Sequence, residues 1–384
     1  MSENRSSSVR PLLKGLMLVA LFVLLAFANP GGSKSYGQGA EIPQIDRAPS
    51  QELRVTSVQS GTLQLDRAIQ LPLVISGRMS SDEEVTRAMW TWLSGSLSQK
   101  LDRAVQGGFN TVIYYIGAGT VYYNSALLPH PSYITPHYDP LANVVEQAHA
   151  RGLKVHVWWA VGAAPGDYQF RSRYPQWDVA AVYGIPDYFH WLNFSLPEVR
   201  RFVGDVALEM AENYDVDGVH LDYIRYFAPP PYNPVDPADF FSPSDIPNTV
   251  QSVYQRLKAS RPSVKLTAAV IVGQGGSVSH LQNWDDWLAG GYIDQVMPMA
   301  YFAPSENDRL QQYLAEWQAL PGFERIVPGL SVATSLSLGS TSPKTPGQLI
   351  TQLEICRAGG ADGFSIFNEQ DITYEILYAL DSYP

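Results

Sequence analysis

A short segment in the middle of the chain combines ionisable side chains with a strand-like apolar pattern. It reads Asp217-Gly218-Val219-His220-Leu221-Asp222-Tyr223-Ile224-Arg225-Tyr226. Side chains alternate between the two faces of a strand, so His220 and Asp222 share one face and Tyr223 is expected on the other. Ionisable groups on an inward face are costly to bury unless they are paired or take part in chemistry. Asp222 is therefore the leading candidate for acid, base or nucleophilic chemistry. The alternative is that it only neutralises Arg225 or hydrogen-bonds a neighbouring loop.

The residues next to Asp222 suggest how its orientation and its pKa would be set. His220 is expected to orient Asp222 or to hydrogen-bond a ligand hydroxyl. Arg225 is expected to lower the pKa of Asp222 and to keep its carboxylate ionised. A lowered pKa suits a nucleophile or a stabilising anion better than an acid. Asp217, at the start of the same segment, is expected to be structural.

The elements that position this segment repeat along the chain from about residue 86. Short apolar runs alternate with stretches of helical period, which predicts a parallel sheet built from βα units. Eight strands are predicted: Ala88–Leu93, Thr111–Ile116, Lys154–Val161, Asp217–Ile224, Lys265–Val272, Gln295–Tyr301, Ile326–Val332 and Gly363–Phe367. Helices are predicted near 97–106, 140–151, 197–213, 247–260, 281–289, 306–319, 346–358 and 373–382. Eight units in about 300 residues favour the α/β class and a closed (β/α)8 TIM barrel over an open doubly wound sheet.

Aromatic residues recur near the predicted strand ends, where the active site of such a barrel lies. Trp and Tyr combine an apolar ring with a polar edge, and a sugar ring presents apolar C–H faces together with hydroxyls. The sequence therefore predicts a carbohydrate cleft, with core packing as the alternative for about half of these residues. The aromatic residues predicted to bind substrate in this cleft are Tyr115, Trp158, Trp159, Tyr226 and Tyr301, and the polar ones include His220 and Arg225.

Residues 1–84 carry a different pattern. Residues 1–30 contain basic residues followed by the apolar run Leu16–Ala28, which predicts an export signal, either cleaved or retained as a membrane anchor. Residues 31–50 are predicted to be a flexible linker, and residues 51–84 a β-rich extension. The barrel is predicted over residues 85–384, and its location is expected to be extracytoplasmic: periplasmic, in the cell envelope or secreted.

Composition limits the class of ligand. The chain has 384 residues, 45% of them hydrophobic, and a net charge of −11. Nucleic acid is an unsuitable partner, because its affinity depends on clustered Lys and Arg, and membrane contact is expected only through an uncleaved anchor. The histidines show no metal-site spacing, and no GxGxxG or P-loop motif is present. No metal and no cofactor are therefore expected.

Several segments resemble the glycosyl-hydrolase-like family ten, which includes bacterial envelope proteins similar to peptidoglycan glycan hydrolases. The resemblance covers roughly residues 85–380 in consistent order. The segments are Asp139-Pro140-Leu141, Ala148 to Trp158 (AHARGLKVHVW), Pro197-Glu198-Val199-Arg200, Tyr214 to Tyr223 (YDVDGVHLDY) and Met297-Pro298-Met299-Ala300-Tyr301. The resemblance implies a (β/α)8 barrel that acts on glycosidic bonds, with Asp222 as the leading catalytic candidate.

The chain departs from the family pattern at two positions. Asn193, in Trp191-Leu192-Asn193-Phe194, and Asn283, in Gln282-Asn283-Trp284, stand where the pattern has Asp. If those carboxylates serve the chemistry, activity is lost here. If they cap helices, Asn replaces Asp at little cost, and we favour capping. Asn193 is also retained as a substrate-binding candidate. A chitinase-like signature fails, because its essential glutamate would fall at Ile224.

Glycoside hydrolysis normally needs two carboxyl groups. Asp222 would supply one, and the candidates for the other are Glu306, Glu369 and Asp371. We choose Glu369, because it directly follows an apolar strand whose surroundings would raise its pKa towards that of a general acid. A helix-capping or solvent-facing role for Glu369 is the alternative.

Two functional hypotheses follow from the sequence. The first is an exported glycosidase that cleaves a polysaccharide, with peptidoglycan glycan strands as one candidate, by two-carboxylate acid–base catalysis. The second is a non-catalytic carbohydrate-binding barrel that kept the aromatic cleft and lost its carboxylate pair. A structure in which no Asp or Glu comes within about 10 Å of Asp222 across the cleft would favour the second hypothesis.

Overall fold

The computed structural model describes residues 85–183, 190–231, 233, 235–273, 278–333, 343–361 and 363–384. The predicted signal segment, linker and β-rich extension, residues 1–84, lie outside the described residues.

Within those ranges, eight parallel strands form one sheet. They are β1 (Arg87–Thr91), β2 (Thr111–Gly117), β3 (Lys154–Ala160), β4 (Gly218–Asp222), β5 (Lys265–Val270), β6 (Gln295–Pro298), β7 (Gly329–Ser331) and β8 (Phe364–Phe367). Hydrogen-bonded neighbours follow the order β6-β5-β4-β3-β2-β1-β8-β7. Parallel bridges from Val296 to Ile326 and from Met299 to Gly329 join the two ends of this order. The predicted (β/α)8 barrel is confirmed.

Helices connect consecutive strands around the barrel. They are α1 (Leu97–Gln106), α2 (Pro140–His149), α3 (Tyr168–Arg173), α4 (Val179–Tyr183), α5 (Pro197–Asn213), α6 (Asp245–Ser260), α7 (Trp284–Gly290), α8 (Asn307–Gln318), α9 (Pro346–Ala358) and α10 (Tyr374–Asp381). Two of them, α3 and α4, lie in the long segment between β3 and α5, where no helix was predicted. The other eight match the predicted set, with α7 beginning three residues later than expected. No helix among the described residues is long and apolar enough to cross a membrane.

Helix α2 shows how local sequence sets these elements. Asp139 precedes it in an extended conformation, and its carboxylate accepts hydrogen bonds from the backbone N–H groups of Leu141 and Ala142. These bonds satisfy donors that a helix N-terminus leaves free, and Pro140 suits the first turn because it lacks an N–H. The predicted apolar face is the buried one, formed by Leu141, Val144, Val145 and Ala148.

Asp217 fixes the start of β4. Its carboxylate accepts the backbone N–H of Val155 at 2.8 Å and lies 2.9 Å from Nε2 of His149. These contacts tie β4 to the beginning of β3 and to the end of α2, at the N-terminal end of the barrel. The structural role predicted for Asp217 is confirmed, and the register that it sets places Ala160 beside Asp222 at the opposite end.

Candidate active site

Asp222 is the last residue of β4, at the C-terminal face of the barrel. Its side chain is 5% exposed. One carboxylate oxygen, Oδ2, accepts a hydrogen bond from Nε1 of Trp158 at 3.0 Å, and Oδ1 accepts one from the backbone N–H of Tyr223 at 2.7 Å. Both bonds hold the carboxylate in one orientation. The inward direction predicted for Asp222 is confirmed, and it places the group where (β/α)8 enzymes perform their chemistry.

Arg225 lowers the pKa of Asp222 as predicted, but the net shift is upward, so the expectation of a lowered pKa is wrong. Burial raises the pKa of this carboxyl, and that effect outweighs the opposing effects of Arg225, of the Tyr223 N–H and of the Trp158 indole. Desolvation penalises the charged form of a carboxyl strongly when few water molecules remain. Arg225 makes the largest of the opposing contributions, and its guanidinium also lies over the Tyr223 ring, with 4.6 Å from Cζ to the ring centroid. A raised pKa suits a proton donor rather than a nucleophile.

The strand ends abruptly after Asp222. Tyr223 has φ +52°, in the left-handed region that non-glycine residues rarely adopt. The turn is held by neighbouring backbone: the carbonyl of Tyr223 accepts the N–H of Gly162 at 3.1 Å and the N–H of Arg225 at 2.8 Å. A Cβ on Gly162 would lie 2.2 Å from that carbonyl oxygen, so only glycine fits there. Strain of this kind concentrates at functional sites.

This turn changes which side chains reach the site. The alternation rule assigned Tyr223 to the outer face, but the structure places it beside Asp222, so that prediction is wrong. The rule holds only while the strand continues. A small cavity results, lined by Trp90, Trp158, Asp222, Tyr223, Arg225, Met299, Tyr301 and Phe367. Its volume is about 10 Å³, which is room for about one water molecule.

Three buried donors on residues that line this cavity lack partners among the described residues. They are Nε1 of Trp90, Nη1 of Arg225 and the hydroxyl of Tyr223. A buried polar group without a partner costs roughly 1–3 kcal/mol. A ligand hydroxyl or amide oxygen at the cavity would remove that cost, which supports the binding role predicted for Arg225.

An aromatic cluster surrounds Trp158 and fixes its indole against Asp222. Trp90 packs edge-on to Trp158 with ring centroids 4.7 Å apart, and Trp92 and Tyr115 lie at 4.7 and 4.8 Å. Tyr301, opposite, stacks on Phe367 at 5.1 Å. Trp158 and Tyr301 therefore lie at the cavity as predicted, with Tyr115 packed behind Trp158. Sequence reasoning missed Trp90, Met299 and Phe367, although each follows from an inward position at or just beyond a strand end.

His220 lies deeper in the barrel than predicted. Its Nδ1 is 2.8 Å from the Thr267 hydroxyl, and its ring packs edge-on against Trp90. Burial lowers the pKa of His220 well below its ordinary value. The neutral imidazole, hydrogen-bonded to Thr267, therefore packs inside the barrel, two residues before Asp222 on β4. The structure does not bring it to the cavity wall.

Three other predicted binding residues face away from the cavity. Trp159 follows Trp158 on β3, so its side chain points to the opposite face, where Nε1 donates to the Ala118 carbonyl at 2.8 Å. Tyr226 stacks on Phe241 at 4.1 Å and contacts Asp245. These residues, together with Asn193, are packed within the loops and layers around the barrel.

The capping explanation for the two Asn positions is corrected by the structure. Asn193 Oδ1 accepts the N–H of Ser195 at 3.2 Å and its hydroxyl at 2.6 Å, which closes a turn. Helix α5 begins only at Pro197, after Leu196 at the capping position. Asn283 does occupy the capping position of α7, but its side chain makes no capping hydrogen bond. Neither side chain lines the cavity at Asp222.

Glu369 is buried in a different environment from Asp222. One of its oxygens, Oε1, lies 2.7 Å from Nζ of Lys100, and Oε2 accepts the backbone N–H of Trp92 at 3.2 Å. Burial raises the pKa of Glu369, as predicted, and Lys100 and the Trp92 N–H oppose that rise. Glu369 lines a separate groove rather than the cavity that contains Asp222. Its catalytic role stays a prediction.

The alternative carboxylates also have structural partners. Glu306 accepts the backbone N–H of Ala303 at 3.0 Å and pairs with Arg309. Asp371 accepts a hydrogen bond from Asn368 at 3.1 Å. Among the residues that the structure describes, Asp222 is the one carboxylate at the cavity, and no group of three or more acidic, His or Cys side chains is arranged to hold a metal.

The barrel and the buried carboxylate at the end of β4 define a glycosidase-like (β/α)8 protein. The sequence profile of the family Glycosyl hydrolase-like 10 matches residues 95–333, more than half of the chain. The chain belongs to this family, which confirms the resemblance seen in its motifs.

Two relatives illustrate the match. Glycosyl hydrolase YngK of Bacillus subtilis is 28% identical over 268 residues, which cover 56% of this chain and 51% of YngK. The alignment thus spans only about half the length of that relative. Glycosyl hydrolase DigH of Escherichia coli strain K12 is 24% identical over 370 residues, covering 83% of this chain and 81% of DigH.

Solved structures share the fold. The glycoside hydrolase domain of PgaB from Bordetella bronchiseptica superposes with a TM-score of 0.58 at 15% identity, covering 78% of this chain and 99% of that domain. The spore cortex-lytic enzyme SleL of Bacillus cereus gives a TM-score of 0.53 at 12% identity, covering 78% of this chain and 75% of SleL. At such identities, the likeness concerns the fold alone.

Proposed function

We propose that this protein is an exported glycoside hydrolase that cleaves glycosidic bonds in a polysaccharide, with glycan strands of peptidoglycan as the first substrate to test. The observation that carries the proposal is the buried carboxyl of Asp222, held by two hydrogen bonds in an aromatic-walled cavity at the catalytic face of a Glycosyl hydrolase-like 10 barrel. Members of such a family act on carbohydrate, and the cavity supplies aromatic and hydroxyl-binding groups suited to one.

Asp222 would act as the general acid. Its raised pKa keeps the carboxyl protonated to higher pH than an exposed aspartate. Protonation of the leaving glycosidic oxygen lets the C–O bond break with the electron pair on a neutral alcohol. The ionised carboxylate that remains is then stabilised by the Trp158 indole and the Tyr223 N–H. Water supplies the hydroxyl added to the anomeric carbon.

The second carboxyl group of the mechanism has two candidates. Glu369, the sequence candidate, is paired with Lys100 and lies outside the cavity. Between β3 and α5, Asp167 caps α3 and Asp178 pairs with His190, and the remaining acid, Asp187, lies outside the described residues. Both candidates are tested below, because the second group either activates the water or forms a glycosyl–enzyme intermediate.

Substrate binding requires the cavity wall to move. A space of about 10 Å³ holds about one water molecule and cannot hold a sugar ring. Tyr301 and Phe367 form a stacked pair on the wall. Displacement of one of these rings would expose Asp222, and the other ring would remain as a stacking surface for the sugar.

A non-catalytic carbohydrate-binding barrel is the alternative, and one observation favours it. Within the described part of the chain, the cavity has a single carboxylate, whereas glycoside hydrolysis normally uses two. An aromatic wall and unpaired donors would suffice to bind a glycan without cleaving it.

Release of reducing ends from peptide-free glycan strands and a polysaccharide panel tests the proposal. We expect product from wild type and at least a hundredfold less from Asp222→Asn. Glu369→Gln and Asp187→Asn identify the second carboxylate by the same loss. Asp215→Asn is the matched control, because this exposed aspartate precedes β4 at the opposite end of the barrel. If wild type binds glycan but releases no reducing ends, the protein is the non-catalytic carbohydrate-binding barrel instead.

The extracytoplasmic location is a separate proposal that rests on residues 1–30. Basic residues before a 13-residue apolar run are typical of an export signal. Fractionation of cells that express the full chain, or a chain lacking residues 1–30, tests it. The full chain is expected outside the cytoplasm and the truncated chain inside it.

A further inference from the structure

A second depression opens beside the candidate active site. It lies between the segment that follows β1 and the segment that follows β8, and we call it the rim groove. Its volume is about 630 Å³, and its lining includes Ser94, Lys100, Arg103, Glu369, Gln370 and Tyr374. Small-molecule sites commonly have volumes of about 300–1,000 Å³. The groove therefore has room for a ligand that the cavity at Asp222 lacks.

The groove and the cavity are neighbours. Phe367 lines the cavity, and Glu369, two residues further along the chain, lines the groove. Two residues span at most about 7 Å. Trp92 links the two sites as well: its N–H donates to Glu369, and its ring packs on Trp158, the residue that hydrogen-bonds Asp222. A chain molecule that passes Asp222 could extend directly into the groove.

The charges in the groove favour a neutral ligand. Lys100 and Arg103 are balanced by Glu369 and Glu375, which also line it. Lys100 and Glu369 pair at 2.7 Å on the buried side. Exposed amide and hydroxyl groups complete the lining, and Gln370 Nε2 donates to the Ser94 hydroxyl at 3.0 Å. Such groups bind hydroxyls, and a balanced set of charges gives little attraction to an anion.

Tyr374 supplies an aromatic surface at the groove. It is the first residue of α10 and its side chain is 68% exposed. Arg103 lies over its ring with 5.2 Å from Cζ to the ring centroid, and Arg103 is itself bonded to the Ile372 carbonyl. The ring is thus held in one orientation while much of it faces solvent. An exposed, fixed Tyr ring suits stacking against the apolar face of a sugar.

We propose that the rim groove binds a further neutral sugar unit of the same glycan chain, beyond the two units that flank the glycosidic bond held at Asp222. This inference rests on the proposed carbohydrate specificity of the Asp222 site and extends it. Tyr374 stacks on the sugar, and Gln370 and Ser94 bind its hydroxyls. The protein therefore prefers a polymer to a disaccharide, because only a longer chain fills both sites.

Binding of peptide-free peptidoglycan glycan strands, and of the disaccharide prepared from them, tests this proposal by calorimetry with the full protein. We expect Tyr374→Ala to weaken binding of the strands about tenfold and to leave disaccharide binding unchanged. Tyr374→Phe keeps the ring and should retain the affinity. Tyr378→Ala is the matched control, since Tyr378 lies one turn later on α10, is 74% exposed and does not line the groove.

The outcomes separate this inference from the proposed function. Strand binding that Tyr374→Ala weakens, without any cleavage by wild type, supports the groove and refutes the hydrolase. Cleavage by wild type with equal strand affinities for Tyr374→Ala and Tyr378→Ala overturns the groove and leaves the hydrolase intact. Loss of both strand and disaccharide binding in Tyr374→Ala would also overturn it, because the effect would not be confined to a second subsite.

Discussion

Replacement of Asp222 by Asn tests whether this residue is the general acid. Asn keeps the size of Asp but cannot donate a proton to a leaving oxygen, so hydrolysis of an unactivated glycoside should fall about 10²–10⁴-fold, or roughly 3–5 kcal/mol in the barrier. An aryl glycoside with an acidic phenol leaves without protonation. The same variant should therefore cleave that substrate at a rate close to that of wild type, measured by phenolate release.

The substitution has a structural cost that must be measured beside the kinetics. Both carboxylate oxygens of Asp222 accept hydrogen bonds, from Trp158 and from the Tyr223 N–H. Asn offers one oxygen and one NH₂, so one donor loses its acceptor and stability should fall by about 1–3 kcal/mol. Thermal unfolding shows that the variant is folded, and Asp215→Asn controls for the chemical change. Equal losses on activated and unactivated substrates would refute the acid role.

Three further predictions concern Trp158, Tyr223 and Lys344, a lysine buried after β7. Trp158→Phe removes a hydrogen bond that favours ionised Asp222, so the pKa of Asp222 should rise and the alkaline limb of the pH–rate profile should move to higher pH. An unmoved limb would show that ionisation of Asp222 does not set it. In denaturant titrations, the free energy of unfolding of Tyr223→Gly should exceed that of Tyr223→Ala by about 1 kcal/mol, because Gly tolerates φ +52°. The reverse order of stability would contradict a strained turn at this position. Burial lowers the pKa of Lys344 to about 7, so the folded state binds fewer protons than the unfolded state above that pH. Stability should thus increase by at most about 3 kcal/mol from pH 7 to 9.5, and Lys344→Met should lose that increase in urea titrations.

The strands and helices of the barrel were predictable, because burial requires apolar residues at regular positions along each of them. A strand covered on both faces reads as a short apolar run, as in Thr111–Gly117, where every residue is buried. A helix on the outside needs only one apolar stripe, as in Pro140–His149. Two short helices in the β3–β4 connection escaped prediction, because five- and six-residue segments are too short to show a helical period.

The candidate site was predictable only in part. Alternation along β4 gave the inward direction of Asp222, and the family motifs singled out the same residue. Alternation also separates Trp158 from Trp159, and the structure places the first at Asp222 and the second against Ala118. Glu369 was chosen by its place after β8, but a position in sequence does not reveal that Lys100, from α1, reaches the same carboxylate.

The sequence by itself determined the order and number of the βα units, the membership in a glycosidase-like family and the position of one buried acid at a strand end. These depend on periodicity and local motifs, which are properties of neighbouring residues. Only the tertiary structure decided the direction of the Asp222 pKa shift, the position of Tyr223 in the cavity and the pairing of Glu369 with Lys100 outside that cavity. Those depend on burial, on a left-handed turn and on contacts between residues far apart in the chain, because desolvation and packing are set by everything that surrounds a group in space.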